Sequence, residues 1–409
     1  MDLKACGVIA EYNPFHQGHA YHLRQARIKS KAQVIVVAMS GNFVQRGEPA
    51  IFDKWTRAQV ALNHGADLVL EIPTLGCVQS ADYFARAGVD ILQSANCCAL
   101  AFGSEGAVAD DFYQAAVESK ELDAGIHHHL KESQTYKSHA YPMQYRQVVE
   151  EHFSSSQALQ KVINQPNQLL GLAYTKAILS SKKEMEIIPI ARKGAGHNQV
   201  ELEDKSYASG TSLRKLLLAD SGQINWQAIS DQLPNDLQDG QPYYEEHYPV
   251  SWADFWPILQ YILTIKSAEK LECIYQMEFG LIPRFQEAAQ RSSTFEDFIN
   301  QVKTKRWTRT RIQRVSLYCL LSVTQEQVKD YYNSLEKNVI QVLGFTPNGQ
   351  KYLKRLHHES DATFVTNYAA QKEVLANQYR YDRVFQLANP QKIQEQNIKR
   401  IPIRQQSER

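Results

Sequence analysis

Cysteine is scarce in this chain, with six in 409 residues: Cys6, Cys77, Cys97, Cys98, Cys273 and Cys319. No two stand in C-x-x-C spacing, which excludes a disulfide-stapled fold and offers no start to a zinc ribbon. Five of them sit in apolar or strand-like contexts and are expected as small buried thiols, pointing to a reducing, cytoplasmic compartment. Long apolar runs are missing too. None approaches the roughly 20 residues a helix needs to cross a bilayer, so no membrane span is expected. The opening MDLKACGVIAEYNPFH has neither a secretory apolar segment nor a small-residue cleavage site, and no leader is expected. Gly (19), Pro (14) and charged residues (22%) are all unexceptional, which excludes collagen-like, disordered and coiled-coil chains. There is no fixed-period repeat and no low-complexity tract.

What is there is material for two or three domains, at roughly 150 residues each. The net charge of +1 conceals an asymmetry. Residues 301–409 carry 19 Lys+Arg against 9 Asp+Glu, which leaves 26 against 35 for residues 1–300 out of totals of 45 and 44. A basic C-terminal segment on an acidic body implies a polyanionic partner met by that segment.

The first half alternates strand-like and amphipathic runs. Strands are predicted at CGVIA (6–10), QVIVVAMS (33–40), DLVLEIP (67–73), CCALAFGSE (97–105) and MEIIPIAR (185–192). Helices are predicted at 18–30, 55–65 and 82–95, over most of 106–180, and from near Thr211. This alternation predicts a parallel, doubly wound, Rossmann-like sheet. The stretch 220–244, rich in Gln, Asp, Gly and Pro, suggests a linker. From SWADFWPILQYIL onward the spacing is helical and strand candidates vanish. The expectation is an α/β domain over 1–220 followed by an all-helical, basic domain over 221–409.

The sharpest motif is GVIAEYNPFHQGHAYHL, where a buried strand runs into a loop and then a helix. His16 and His19, with Gly18 between them, can face one phosphate chain. Gly18 would let the backbone come close, and the helix start would offer free N–H groups and its positive dipole end. The imidazoles could then donate to charge building on the phosphates during adenylyl transfer. A second signal is YASGTSLRKLLL. Ser209, Gly210, Thr211 and Ser212 precede an apolar-periodic helix, with Arg214 and Lys215 expected in its first turn. Small hydroxyl residues there form an ordinary helix cap. Cations at a helix start oppose its dipole unless an anion sits there, so a second phosphate clamp is the other reading.

The H-x-G-H after the first strand and the S-x-T-x-x-R before a late helix resemble the nucleotidyltransferase superfamily. More narrowly, EYNPFHQGHAYHL, MSGNFVQRGEPAIFDKWTRAQVAL, DLVLEIP, FGSE, IPIARKGAGHN, SGTSLRK and TKRWTRTRIQR follow in the order found in the tRNA(Met) cytidine acetate ligase family. The resemblance covers most of the chain and is weakest over 105–160, 220–300 and the C-terminal tail. It implies ATP-dependent activation of acetate to acetyl-adenylate, and transfer of the acetyl group to the exocyclic amine of the wobble cytidine of elongator tRNA(Met). Carried over residue by residue, the ATP loop is Ile9, Ala10, Glu11, Tyr12, Asn13, Pro14, Phe15, His16, Gln17, Gly18, His19, Ala20, Tyr21 and His22. The resemblance also places Gly103 beside the adenosine and adds Asn167, Arg192 and Lys193 as further nucleotide contacts. His16, His19, Thr211 and Arg214 make up the catalytic set. This sequence departs from the family pattern with a glycine between Ser209 and Thr211 and with Gln168 where a second asparagine is common.

An adenylate route suits the residues present. A carboxylate is a poor electrophile until it is joined to AMP, and no Cys/His pair or Ser-His-Asp arrangement suggests a covalent acyl-enzyme. Mg²⁺ bridging the phosphates is expected, without a dedicated carboxylate cage. GNFVQRGEPAIFDKW (41–55) and the following Arg57 are open to two readings. One is a solvated loop bearing ordinary surface charges; the other is a lid beside the active site, hinged at Gly41 and Gly47, that receives acetate or the cytidine. KTKRWTRTRIQR sets Lys303, Lys305, Arg306, Arg309, Arg311 and Arg314 around Trp307 with no acid among them. That suits an RNA backbone with a base stacked nearby, or else a plain solvated helix face. No motif that reads DNA in the major groove is present. His127–His129 and His357–His358 have no spaced partner to complete a metal site, so no protein-held metal is expected. Trp252, Trp256 and Tyr261 are expected in a core. Two alternatives stay open: a mononucleotide adenylyltransferase making a dinucleotide cofactor, and a non-catalytic tRNA-binding protein.

Overall fold

ACGVIA is small or β-branched at every position and forms β1 (Ala5–Ala10) at the centre of the sheet. The structure, a computed structural model, describes residues 3–132, 147, 149–151, 156–163, 166–181, 183–192, 210–218, 229–234, 249–333, 338–388 and 394–406. After β1 come α1 (Gln17–Ser30), β2 (Val34–Ser40), the hairpin β3–β4 (Phe43–Val44 and Glu48–Pro49), α2 (Lys54–Asn63) and β5 (Leu68–Ile72). Next are α3 (Thr74–Cys77), α4 (Ala81–Ser94), β6 (Ala99–Ser104), α5 (Ala109–Glu132), α6 (Gln157–Ile163), α7 (Pro166–Ser180), β7 (Glu186–Ala191) and α8 (Gly210–Leu217). β5, β2, β1, β6 and β7 lie side by side in that order, all parallel, the doubly wound arrangement that the alternation implies. From β1 the chain winds to β2 and β5, then returns to place β6 on the other flank. The strand order therefore reverses between β1 and β6, and a crevice opens at their carboxyl ends. Most of the expected linker 220–244 lies outside the described residues.

The helical region consists of α9 (Trp252–Ile265), α10 (Ala268–Glu272), α11 (Ile282–Arg291), α12 (Phe295–Val302), α13 (Arg309–Leu321) and α14 (Gln325–Asn333). Its core holds Trp252, Trp256, Phe285 and Phe298, and takes in Phe43, Leu75 and Val78 from the first half. Tyr261, expected there, is 66% exposed. It stands five residues beyond Trp256, about 140° around the helix and so off the buried face.

The expectation that everything after 220 is helical is corrected beyond α14. Residues Val339–Phe345 form β8, followed by α15 (Pro347–Glu359), β9 (Thr363–Val365), α16 (Ala376–Phe385) and β10 (Ile403–Arg404). β8 pairs antiparallel with β5, while β9 and β10 both run parallel to β8, so the sheet has eight strands drawn from both sides of residue 220. The reason is that β5 would otherwise end the sheet as an apolar edge with open backbone groups. VIQVLGF is buried almost throughout and covers that edge.

The reading of the 41–57 loop as solvated does not survive. Lys54 is fully buried, and its Nζ lies 2.8 Å from Glu71 Oε2, 2.8 Å from Asp382 Oδ2 and 3.0 Å from Asn397 Oδ1. Burial alone would pull its pKa down, but Asp382 and Glu71 outweigh that and hold the ammonium charged. Arg57 is buried as well. Its guanidinium donates to the carbonyls of Phe52 (2.9 Å), Glu11 (2.6 Å), Ser40 (3.0 Å) and Gly41. Gly47 is not a hinge. Its φ is +79°, and a side chain there would begin 2.4 Å from the backbone nitrogen of Arg314, so glycine lets this turn press against α13. Four cysteines, not five, are buried: Cys6, Cys77, Cys97 and Cys319. Cys98 and Cys273 are exposed.

Candidate active site

The chain leaves β1 through a tight turn in which Tyr12 takes the left-handed conformation (φ 50°). His16 then caps α1. Its Nδ1 accepts from Gly18 N at 3.1 Å, while its own backbone N–H donates to His19 Nδ1 at 3.3 Å. The two rings stack with centroids 3.7 Å apart, and Tyr12 packs edge-on to His19 at 4.9 Å. Because both Nδ1 atoms accept, each neutral imidazole carries its proton on Nε2. Neither Nε2 has a partner among the described residues, so two N–H donors stand side by side at the carboxyl end of β1.

This differs in detail from the expected open helix start. The N–H of Gly18 is taken by His16, and the N–H groups of His19 and Ala20 both bond to the carbonyl of His16. The motif therefore offers anions its imidazoles rather than a bare turn of backbone. Burial pushes His16 down to about 4, with Arg192 adding to the shift, and His22 to about 4 for the same two reasons. His19 is held well below 6.5 by burial, then by His16, His22 and Arg192.

A pH dependence of stability follows from these shifts. Below pH 6.5 the unfolded chain takes up protons that the folded imidazoles refuse until about pH 4, so stability falls as pH drops through that window. Across the full span, His16 and His22 each account for on the order of 3 kcal/mol. Thermal melts from pH 7 to 4.5 should show a steep fall in Tm, and a His22→Leu variant a shallower one. Equal slopes would show that His22 is not held neutral by the fold.

Arg214 fastens α8 to this loop. Its Nη1 donates to Asn13 O at 2.7 Å, and its Nη2 reaches Glu48 Oε2 at 3.1 Å and Thr211 Oγ1 at 3.3 Å. α8 begins at Gly210, so Arg214 lies in its second turn rather than the first, and Glu48 supplies the negative partner. Glu48 Oε1 also accepts from Gln313 on α13 at 2.9 Å, joining the helical region to the site. Sequence reasoning gave Glu48 no role, because its partners lie 166 and 265 residues away.

Across the crevice, two expected nucleotide contacts converge on one carboxylate, and a third lies against one of them. Arg192 Nη1 lies 3.2 Å from Glu105 Oε1, Asn167 Nδ2 donates to the same oxygen, and the Cα of Gly103 faces the Arg192 stem. Glu105, read only as part of FGSE, is what holds these residues together. Not every residue of the 9–22 loop faces the crevice: Tyr12 and Phe15 are core residues. Lys193 lies outside the described residues.

The cationic segment looks different in three dimensions. Glu278 binds Arg306 at 2.8 Å and also Arg311, while Glu296 accepts from Arg309 Nη1 at 2.8 Å. Arg314 turns inward to the carbonyl of Gln79 at 3.4 Å. Lys303 and Lys305 are exposed and have no carboxylate partner among the described residues. Trp307, expected to stack a base, is only 9% exposed. The acids that the segment lacks are thus supplied by α12 and by the turn before α11.

Among the described residues no group of three His, Cys, Asp or Glu side chains could hold a metal, and no helix is long and apolar enough to cross a membrane.

Comparison with known proteins agrees with this architecture. The family described as "HIGH Nucleotidyl Transferase" matches residues 3–400. The tRNA(Met) cytidine acetate ligase of Lactiplantibacillus plantarum is 36% identical over 405 residues, covering 98% of each chain. Its namesake in Ligilactobacillus salivarius is 37% identical, covering 98% of this chain and all of that one. Thermotoga maritima TmcAL, solved bound with alpha-thio ATP, superposes with a TM-score of 0.86 at 28% identity, covering 99% of this chain and 100% of the other.

Proposed function

The chain belongs to the tRNA(Met) cytidine acetate ligase family of HIGH nucleotidyltransferases, and from that premise we propose how its residues carry out the reaction. It is an ATP-dependent ligase that acetylates cytidine in tRNA. In our reading, a carboxylate oxygen of acetate attacks the α-phosphorus of ATP, forming acetyl-adenylate and expelling pyrophosphate. The exocyclic amine of the wobble cytidine of elongator tRNA(Met) then attacks the acetyl carbonyl. AMP leaves, and the amine gives up a proton.

The observation that carries this reading is the stacked pair His16 and His19, with both Nε2–H groups without a partner among the described residues at the strand-order reversal. Neutral N–H donors can follow charge as it grows on the α-phosphate and the leaving pyrophosphate. Arg214 and Thr211 flank the loop on one side, and Asn167, Arg192, Lys193 and Gly103 take the nucleoside end. Mg²⁺ fits as a companion of the ATP phosphates, which would supply most of its ligands, since the described residues contain no cluster to hold it. We assign the ATP chemistry to residues 1–220 and the RNA grip to 221–409, where Lys303, Lys305, Arg306, Arg309 and Arg311 meet phosphates while Arg314 is turned inward to Gln79. A cytoplasmic location suits these substrates.

The test is labelled acetate with total bacterial tRNA, with and without ATP. ATP-dependent label on cytidine of a single tRNA is the expected result. Pyrophosphate release with a phosphorylated small acceptor and no labelled RNA would favour the adenylyltransferase alternative. RNA binding without turnover would favour the non-catalytic one.

A further inference from the structure

The cationic segment contains one aromatic residue, and the structure commits it elsewhere. Trp307 donates its Nε1–H toward Glu278 Oε2 at 3.3 Å, and the guanidiniums of Arg284 and Arg306 lie over its ring at 5.6 and 5.5 Å from the centroid. A side chain at Gly280 would begin 3.6 Å from the same indole. Glu278 and Gly280 are therefore both fixed against the Trp307 cluster, and the residue between them, Phe279, is 83% exposed. Among the described residues it is the most exposed large apolar side chain.

We propose that Phe279 is the platform on which an unpaired base of the RNA substrate stacks. The proposal rests on the reading of the surrounding cations as the tRNA face and names what that face recognises. Charge supports this occupant. Arg306 and Arg311 share the single carboxylate of Glu278, Arg284 lies over the Trp307 ring, and Lys303 and Lys305 are close by in the chain, so the turn keeps an excess of positive charge. A phenyl ring held out from an anchored turn has only two side-chain torsions to fix when a base covers it. An aromatic face among cations matches how proteins hold unstacked bases in RNA loops. Base-paired RNA presents no such face. One phenylalanine is too little apolar surface to hold a membrane.

The experiment measures the affinity of the full-length protein for a tRNA(Met) transcript and for a short RNA duplex. The variants are Phe279→Ala, Phe279→Leu, Phe279→Trp and Arg309→Ala with Arg311→Ala. A Tm near that of the parent confirms folding, as expected for so exposed a position. Phe279→Ala should weaken tRNA binding about tenfold and leave duplex binding unchanged, Phe279→Trp should restore it, and Phe279→Leu should not. The arginine pair should weaken both RNAs and flatten the salt dependence. If the arginine pair weakens tRNA while Phe279→Ala does not, or if leucine serves as well as tryptophan, the platform is refuted and the cationic face stands. If neither set changes tRNA affinity, the cationic-face reading fails and the platform with it.

Discussion

His19→Ala should lower acetate-dependent ATP–pyrophosphate exchange by about 10²–10³-fold, the usual cost of deleting one donor aimed at developing charge. The substitution also removes an acceptor from the cap of α1, because His19 Nδ1 receives the backbone N–H of His16. A cap of this kind is worth about 1 kcal/mol, so a modest fall in Tm accompanies the kinetic loss. His19→Gln separates the two effects. A glutamine at this third helical position can reach back to the same N–H, as capping boxes do, but presents no imidazole N–H beside His16. Its Tm should recover while exchange stays low. Exchange that recovered together with the Tm would assign His19 to structure alone. Affinity for tRNA should be nearly unchanged in both variants, since the cationic segment is separate from the loop.

Lys54→Met should cost about 3–5 kcal/mol, read from urea titration, because it strands two buried carboxylates next to each other. Glu71 and Asp382 both lose their cation, and Asn397 and Gln341 lose the donor at 3.0 and 3.3 Å. The pH dependence gives this mechanism its signature. Burial already raises Glu71 to about 7 against the pull of Lys54, so with Lys54 absent its folded pKa rises further above its unfolded value. Stability is then retained at low pH and lost as pH rises, opposite in sign to the histidine effect. Adding Glu71→Gln and Asp382→Asn should recover most of the loss, since buried ion pairs can often be replaced by neutral groups of similar volume. A Lys54→Met loss that did not vary with pH would mean that only packing had been disturbed.

Much of the sheet was legible because its signal is local. β1, β2, β5, β6 and β7 are continuous apolar runs, and each lies within two residues of its expected bounds. β8 was not legible. VIQVLGF has a strand-like composition but is flanked by helical spacing, and only the open edge of β5 gives it a place. The H-x-G-H motif pointed to the crevice, yet its sequence could not show that His16 already occupies the N–H of Gly18. Lys54 and Arg57 were open to a reading as surface charges because a charged residue is normally solvated. Lys54 is buried by an acid 328 residues away. Trp307, expected beside a stacked base, is buried, while Phe279, which the sequence did not single out, stands exposed, since burial is decided by what packs above a ring and not by the charges beside it in the chain.

The sequence by itself determined the order of strands and helices in the first half, the strand-to-helix turn bearing His16 and His19, and the clustering of cations near the C-terminal end. These are properties of residues within a few positions of one another. Tertiary structure alone decided that the C-terminal strands complete the N-terminal sheet and that Glu48 joins Arg214 to Gln313. It also decided that Glu278 and Glu296 balance the arginines. Each of these pairs groups far apart in the chain, and a buried or charged group takes the partner that folding brings within reach.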